Sequence, residues 1–125
     1  MGDTPWQGDA CSLVDEFRAG RRSPAEELQA VYDAVDSSPL NAICHTDRDA
    51  ALNAARAADV NLPFGGVPMA VKELESVSGW PDTHASFPLR DRIASSSSPQ
   101  VERLRQRGGA VLAGQSTSSE FGKEY

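Results

Sequence analysis

Val67 to Val71 form an uninterrupted apolar run, entered through Leu62-Pro63-Phe64-Gly65-Gly66 and closed by Lys72-Glu73. A short run of this kind, apolar on both faces and bounded by Pro and Gly, has the pattern of a strand buried in a parallel sheet. A parallel strand needs a crossover helix and a second strand, and the sequence provides both. Ser98-Pro99 opens a helical pattern that carries Val101 and Leu104 and ends near Gly108-Gly109. Ala110-Val111-Leu112-Ala113-Gly114 then reads as another short buried strand. Strand 67–72, helix 99–108 and strand 110–114 predict a right-handed βαβ unit. Lys72 falls at the C-terminal end of the first strand, the edge at which open α/β sheets bind ligands, and is the candidate for a charged group brought to an active site; the alternative is a strand-end lysine reaching out to water.

Upstream the pattern is helical. Ala10, Leu13, Val14 and Phe17 fall at i, i+3, i+4 and i+7, with Gly20 placed to close the helix. Ser23-Pro24-Ala25-Glu26 is a capping-box sequence with proline at the first helical position, and Leu28, Val31, Tyr32 and Val35 continue a one-sided apolar face. Ala42–His45 reads as a brief strand. Asp47 can cap a third helix with Ala50, Ala51, Ala54, Ala55 and Ala58 on one face. Glu73 to Ser97 shows little periodicity, and irregular stretches of that length inside domains are usually functional or disordered. Thr117-Ser118-Ser119-Glu120 repeats the capping-box pattern and predicts a last helix running toward Tyr125. The expected fold is α/β: N-terminal helices plus a βαβ unit, with an incomplete parallel or mixed sheet. It forms one partial domain over 1–125, with a loose leader at 1–8, a helical lead-in at 10–60, and the lysine-bearing strand, irregular segment and βαβ unit at 62–125. Two strands alone make a poor parallel sheet, so the chain reads as the N-terminal piece of something larger.

Charge and cysteine content narrow the function classes. Eighteen acidic residues against twelve basic ones give a net charge of −6, which argues against nucleic acid as the main partner. No apolar run approaches membrane-spanning length, and the first residues lack the basic and apolar regions of a signal peptide. Cys11 and Cys44 are too few for a disulfide framework or a zinc site, so a cytoplasmic protein without metal or cofactor is expected. Cys11, beside a helical stripe, reads as a small core residue. Cys44 and His45 are strand neighbours and should point apart. His84 reads as a solvated loop residue, and Arg103 and Arg107 as a solvated helix face. Gly65-Gly66 lacks the spacing of a phosphate-binding loop.

Four blocks, in order, carry a resemblance to a known family. They are Gly65 to Glu73, Val77-Ser78-Gly79-Trp80-Pro81-Asp82-Thr83, Val101-Glu102-Arg103-Leu104 through Gly109 to Gly114, and Ser119-Glu120-Phe121-Gly122. Arg18-Ala19-Gly20, Ser23 to Glu26, Leu40 to Ile43 and Ala54 to Asp59 match in the lead-in. Over roughly residues 10–125 the chain resembles the front half of the amidase signature family. The resemblance implies an α/β hydrolase of amide bonds with a Ser–Ser–Lys triad, in which Lys72 matches the catalytic lysine. It also implies a small-molecule amide substrate for the full-length relative. In that family the two serines lie downstream in a Gly/Ser-rich segment. Ser95-Ser96-Ser97-Ser98 has no flanking glycines and precedes the crossover helix, so these 125 residues are expected to lack both serines and to be inactive alone.

The sequence departs from the family pattern in three places. Glu73 stands where the family commonly has aspartate. Asp82-Thr83-His84-Ala85-Ser86 stands where it often runs Thr-Thr-x-Gly-Ser. Phe87 stands where the tRNA-dependent amidotransferase A subunits often place lysine. The alternatives to a hydrolase portion are a non-catalytic module that pairs with a separate C-terminal half, and part of such an A subunit with its partner subunits.

Overall fold

The computed structural model describes residues 4–123. Its elements run α1 (Ala10–Arg18), α2 (Pro24–Ser37), β1 (Ile43–His45), α3 (Arg48–Arg56), β2 (Pro68–Lys72), α4 (Pro99–Gln106) and β3 (Val111–Ser116), with single 3-10 turns at Phe87–Leu89 and Glu120–Gly122. Side chains cap three of the helices, at Ser23 and Asp47 as the sequence predicts and also at Asp9, whereas Ser98 starts α4 without a side-chain cap bond. Asp9 Oδ1 accepts from Ser12 N (2.8 Å), Ser23 Oγ from Glu26 N (3.1 Å) and Asp47 Oδ1 from Ala50 N (3.3 Å). Gly20, at φ +73°, leaves α1 in the left-handed conformation that suits glycine. In the stretch expected as a loose leader, Trp6 N donates to the Glu27 carboxylate (3.1 Å) and Trp6 Nε1 to Ser12 Oγ (2.9 Å); residues 1–3 lie outside the described residues.

The fold is mixed α/β. The sheet has order β1-β3-β2, with β2 and β3 parallel across the α4 crossover and β1 antiparallel to β3. Each face has its own core. On one, Leu28 and Tyr32 of α2 and Ala51 and Ala55 of α3 pack on Val111 and Ala113. On the other, Val71, Val77, Trp80 and Val101 pack together, with Met69 and Leu112 against them. Only Ala51 and Ala55 of the expected alanine face are buried in α3.

One extra residue in β3 sets which side chains face which way. The parallel register runs Pro68↔Val111 and Met69↔Leu112, then skips to Ala70↔Gly114, Val71↔Gln115 and Lys72↔Ser116. Ala113 is therefore a β-bulge, and bulges leave a residue out of the ladder and re-aim the side chains beyond it. Its carbonyl is taken up by the Tyr32 hydroxyl, which donates at 2.6 Å inside the core. Beyond the bulge, buried Gln115 pairs with buried Val71 on the Trp80 side, and its Nε2 donates to Pro81 O (2.8 Å). By alternation Ser116 and Lys72 turn to the opposite face.

Three further expectations change. The sequence pattern buries the lysine-bearing strand on both faces, yet of β2 only Val71 is buried, and Ala70 and Lys72 are exposed. The helix expected from Thr117 onward is a single turn. Phe121 takes φ +51°, and the Ser118 amide is bonded to Glu73 Oε1 (2.6 Å) rather than starting a helix; Glu124 and Tyr125 lie outside the described residues. Cys11 is exposed, because α1 buries the stripe of Leu13, Val14 and Phe17. The stretch 73–97 is folded back on itself. Gly79 N donates to Ala94 O (2.9 Å), Ala94 N to Trp80 O (3.0 Å) and Ser98 N to Ser76 O (2.9 Å), around a bridge between Pro81 and Ile93. No helix among the described residues is long and apolar enough to cross a membrane.

Tyr32→Phe keeps the ring but leaves the Ala113 carbonyl without its donor. A buried polar group left unpaired costs about 1–3 kcal/mol, so the urea midpoint should fall by a corresponding amount with the m-value unchanged.

Candidate active site

The candidate site lies at the C-terminal edge of the two parallel strands. Lys72 ends β2, and the backbone then turns at once: Glu73 N donates to Ser116 O (2.9 Å) and Glu75 N to Lys72 O (2.8 Å). The lysine side chain is exposed on the face it shares with Ser116. One step back along β2 on that face, Ala70 lines a cavity of about 150 Å³ with Val31, Tyr32, Val35, Ala113 and Gly114. A wider open depression of about 700 Å³, between α2 and β1, is lined by Val31, Val35, Asp36, Ile43, His45 and Arg48 among others, and does not include Lys72.

The residue after the lysine fixes this edge. Glu73 is buried, and an unpaired buried carboxylate is costly, so its partners matter. Oε1 accepts from Ser118 N (2.6 Å) and Ser118 Oγ (3.2 Å), and the Cys44 thiol donates to Oε2 (3.5 Å) and to Gln115 O (3.4 Å). One carboxylate thus ties the end of β2 to β1 and to the segment after β3. Cys44 is the extra residue where β1 slips register against β3, between the pairs Ile43↔Ser116 and His45↔Gln115. Although the residue is exposed overall, partial burial of its thiol and the negative charge of Glu73 push the thiol up to about 11. That makes it a poor nucleophile at neutral pH. His45 turns to a different partner, packing edge-on against Trp80 with centroids 5.2 Å apart, so the two neighbours form no dyad.

A second polar cluster lies in the folded-back segment. Buried Asp82 accepts from Ser76 Oγ (3.0 Å), with Arg92 Nε at 3.3 Å and His84 Nε2 at 3.8 Å. His84, expected to be solvated, is only partly exposed. Its ring stacks on Phe121 at 5.8 Å, and its carbonyl accepts from Phe121 N (2.8 Å). His84, Ala85 and Phe121 all have positive φ, at 51°, 59° and 51°. Ala85 occupies the position where the resembling family often has glycine, and a Cβ makes that conformation costly. Among the described residues no group of three or more His, Cys, Asp or Glu could hold a metal ion.

Sequence reasoning singled out Lys72 and passed over Glu73, Gln115 and Asp82 as site-forming residues. A signal for Glu73 was present: a carboxylate directly after a buried-strand pattern needs partners. Its partners come from 29 and 45 positions away, and no local pattern shows that.

The amidase family profile matches residues 26–125. The chain is 35% identical over 116 residues to the A subunit of a glutamyl-tRNA(Gln) amidotransferase from Akkermansia muciniphila, covering 92% of this chain and 24% of that protein. It is 36% identical over 122 residues to an acylamidase from Rhodococcus erythropolis, covering 90% and 25%. The solved peptide amidase from Stenotrophomonas maltophilia shares the fold, with a TM-score of 0.80 at 23% identity over 92% of this chain and 26% of that one. The family match covers most of the chain and defines its class: the chain belongs to the amidase signature family. It spans about a quarter of the length of the curated relatives it matches.

Alkylation of Cys44 by iodoacetamide should be slow at pH 8 and climb as pH approaches about 11, the value to which burial and Glu73 raise its thiol. Glu73→Gln removes the neighbouring charge, and the rise should then begin at lower pH. Peptide mass mapping of the alkylated chain reads both outcomes.

Proposed function

We propose that this chain is the lysine-bearing portion of an amide hydrolase, a partial amidase domain in which Lys72 is the base end of a Ser–Ser–Lys relay. Both serines come from polypeptide outside these 125 residues. The observation that carries the reading is the placement of Lys72: it ends β2 at the C-terminal edge of the parallel pair, exposed on the open face and inside the family-matched span. A lysine works as a base only when its neutral form is accessible, which takes desolvation or nearby positive charge. Lys72 is exposed here, so polypeptide covering that face has to provide the desolvation. In the complete site the neutral amine takes a proton through the bridging serine as the nucleophilic serine attacks the amide carbonyl. The amine product leaves, and water then releases the acyl group. Substrates are small-molecule amides.

A second reading, part of an amidotransferase A subunit that works with partner subunits, is supported by relatives of that name such as the one from Akkermansia muciniphila. Phe87, at a position where such subunits often carry lysine, weighs against it. Co-purification with amidotransferase partner subunits separates the two readings.

A polypeptide of these 125 residues should hydrolyse simple amides no faster than buffer. Mixed with a separately expressed polypeptide carrying the rest of an amidase signature domain, it should gain activity. Lys72→Ala should then lower that activity by about 10²–10⁴-fold, the usual weight of a general base. Hydrolysis that survives Lys72→Ala undiminished, or appears in the 125 residues alone and vanishes with that substitution, would overturn the proposal.

A further inference from the structure

Lys72 and Ser116 are cross-strand partners at the last rung of the parallel pair. They share this rung only because Ala113 is extra. Without the bulge, residue 115 would stand opposite Lys72 on the open face, and the serine would stand one position further on. With it, Gln115 goes to the Trp80 side and is 1% exposed, while Ser116 stays half-buried on the side of the lysine. Side chains directly opposite in neighbouring strands have Cβ atoms about 5 Å apart, within reach of a lysine head group folded back on a hydroxyl. The nearby polar groups are already committed: the Glu73 carboxylate to Ser118 and Cys44, and the Gln115 amide to Pro81. The Ser116 backbone is also fixed on both sides, by Lys72 in β2 and Ile43 in β1, so its hydroxyl sits on the central strand of the sheet.

We propose that Ser116 is a positioning residue for Lys72: its hydroxyl accepts a hydrogen bond from the lysine head group and holds it on the open face at the strand end. The inference rests on the role proposed above for Lys72. In the neutral amine the bond uses one N–H and leaves the lone pair free to take a proton. In the ammonium it uses one of three donors, so the head group stays in place through the proton transfer. This fixes a long side chain that would otherwise lose rotamer entropy each time it engaged a substrate-side partner.

The test compares two isosteres, Ser116→Thr, which keeps the hydroxyl, and Ser116→Val, which removes it; both side chains suit a strand. Lys72 and Lys123 are the two lysines of the chain, so Lys123 provides an internal reference for labelling with an acetyl N-hydroxysuccinimide ester. Loss of a hydrogen bond worth about 0.5–1.5 kcal/mol should raise the Lys72 to Lys123 labelling ratio about 2–10-fold in Ser116→Val and leave it unchanged in Ser116→Thr. If Ser116→Val does not fold, as judged by near-ultraviolet circular dichroism, Ser116→Ala takes its place. Equal ratios in all three proteins, or a common change in Thr and Val, would overturn the inference. Labelling needs no hydrolysis. A negative result therefore removes Ser116 alone, and a Lys72-independent hydrolysis removes the role of Lys72 whatever the labelling shows.

Discussion

The hydrogen bond from Tyr32 to Ala113 O is the contact on which the site depends. A bulge in a parallel pair strands a backbone carbonyl, and an unpaired carbonyl in a core is expensive enough to select against the bulge. Tyr32 removes that cost from α2, a helix positioned by its own cap and by Leu28. The bulge can therefore persist, and with it the phase of everything after Ala113. Gln115 enters the core and Ser116 faces the open side with Lys72. A helix laid down early in the chain thus decides the orientation of a pair of residues at the far edge of the sheet.

Glu73 is the second constraint and acts on the same edge. Its carboxylate gathers Ser118 and Cys44, so the last rung of the sheet, the slipped end of β1 and the segment after β3 cannot move independently. Losing a methylene would shorten its reach, which gives a physical reason for glutamate at a position where the family commonly has aspartate: the carboxylate here spans three segments. The Cys44 thiol, raised by burial and by that same charge, is a donor in this knot and not a reactive group.

Much of the fold was legible because it is written locally. Caps at Ser23 and Asp47, the apolar run ending on Lys72 and the helix between two short strands each announce themselves within about ten residues. The mixed character of the sheet comes from the Ala42–His45 strand, legible as a strand but not by its partner. Long-range contacts decide the rest. The Ala113 bulge leaves no trace in a run that reads as a plain strand. The serine-rich capping pattern after β3 is overridden because Glu73 takes the Ser118 amide. His84, read as solvated, stacks on Phe121 from a segment 37 positions on. Lys72 stands at the strand end where its pattern placed it; the bulge that brings Ser116 opposite it was not legible.

The exposed face of β2 bears on the role proposed for Lys72. A parallel strand reads as apolar on both faces because it is ordinarily covered on both, and Ala70 keeps that composition while exposed, next to the exposed Lys72. The face they share with Ser116 and Gly114 also carries the apolar cavity lined by Val31, Val35 and Ala113. Small and apolar side chains there allow close approach by another layer, and the lysine at its margin is the group that such a layer would desolvate. Covering this face would bury apolar surface and withdraw Lys72 from water in the same event. The energy of packing then works against the cost of desolvating an amine, which is the condition a lysine base requires.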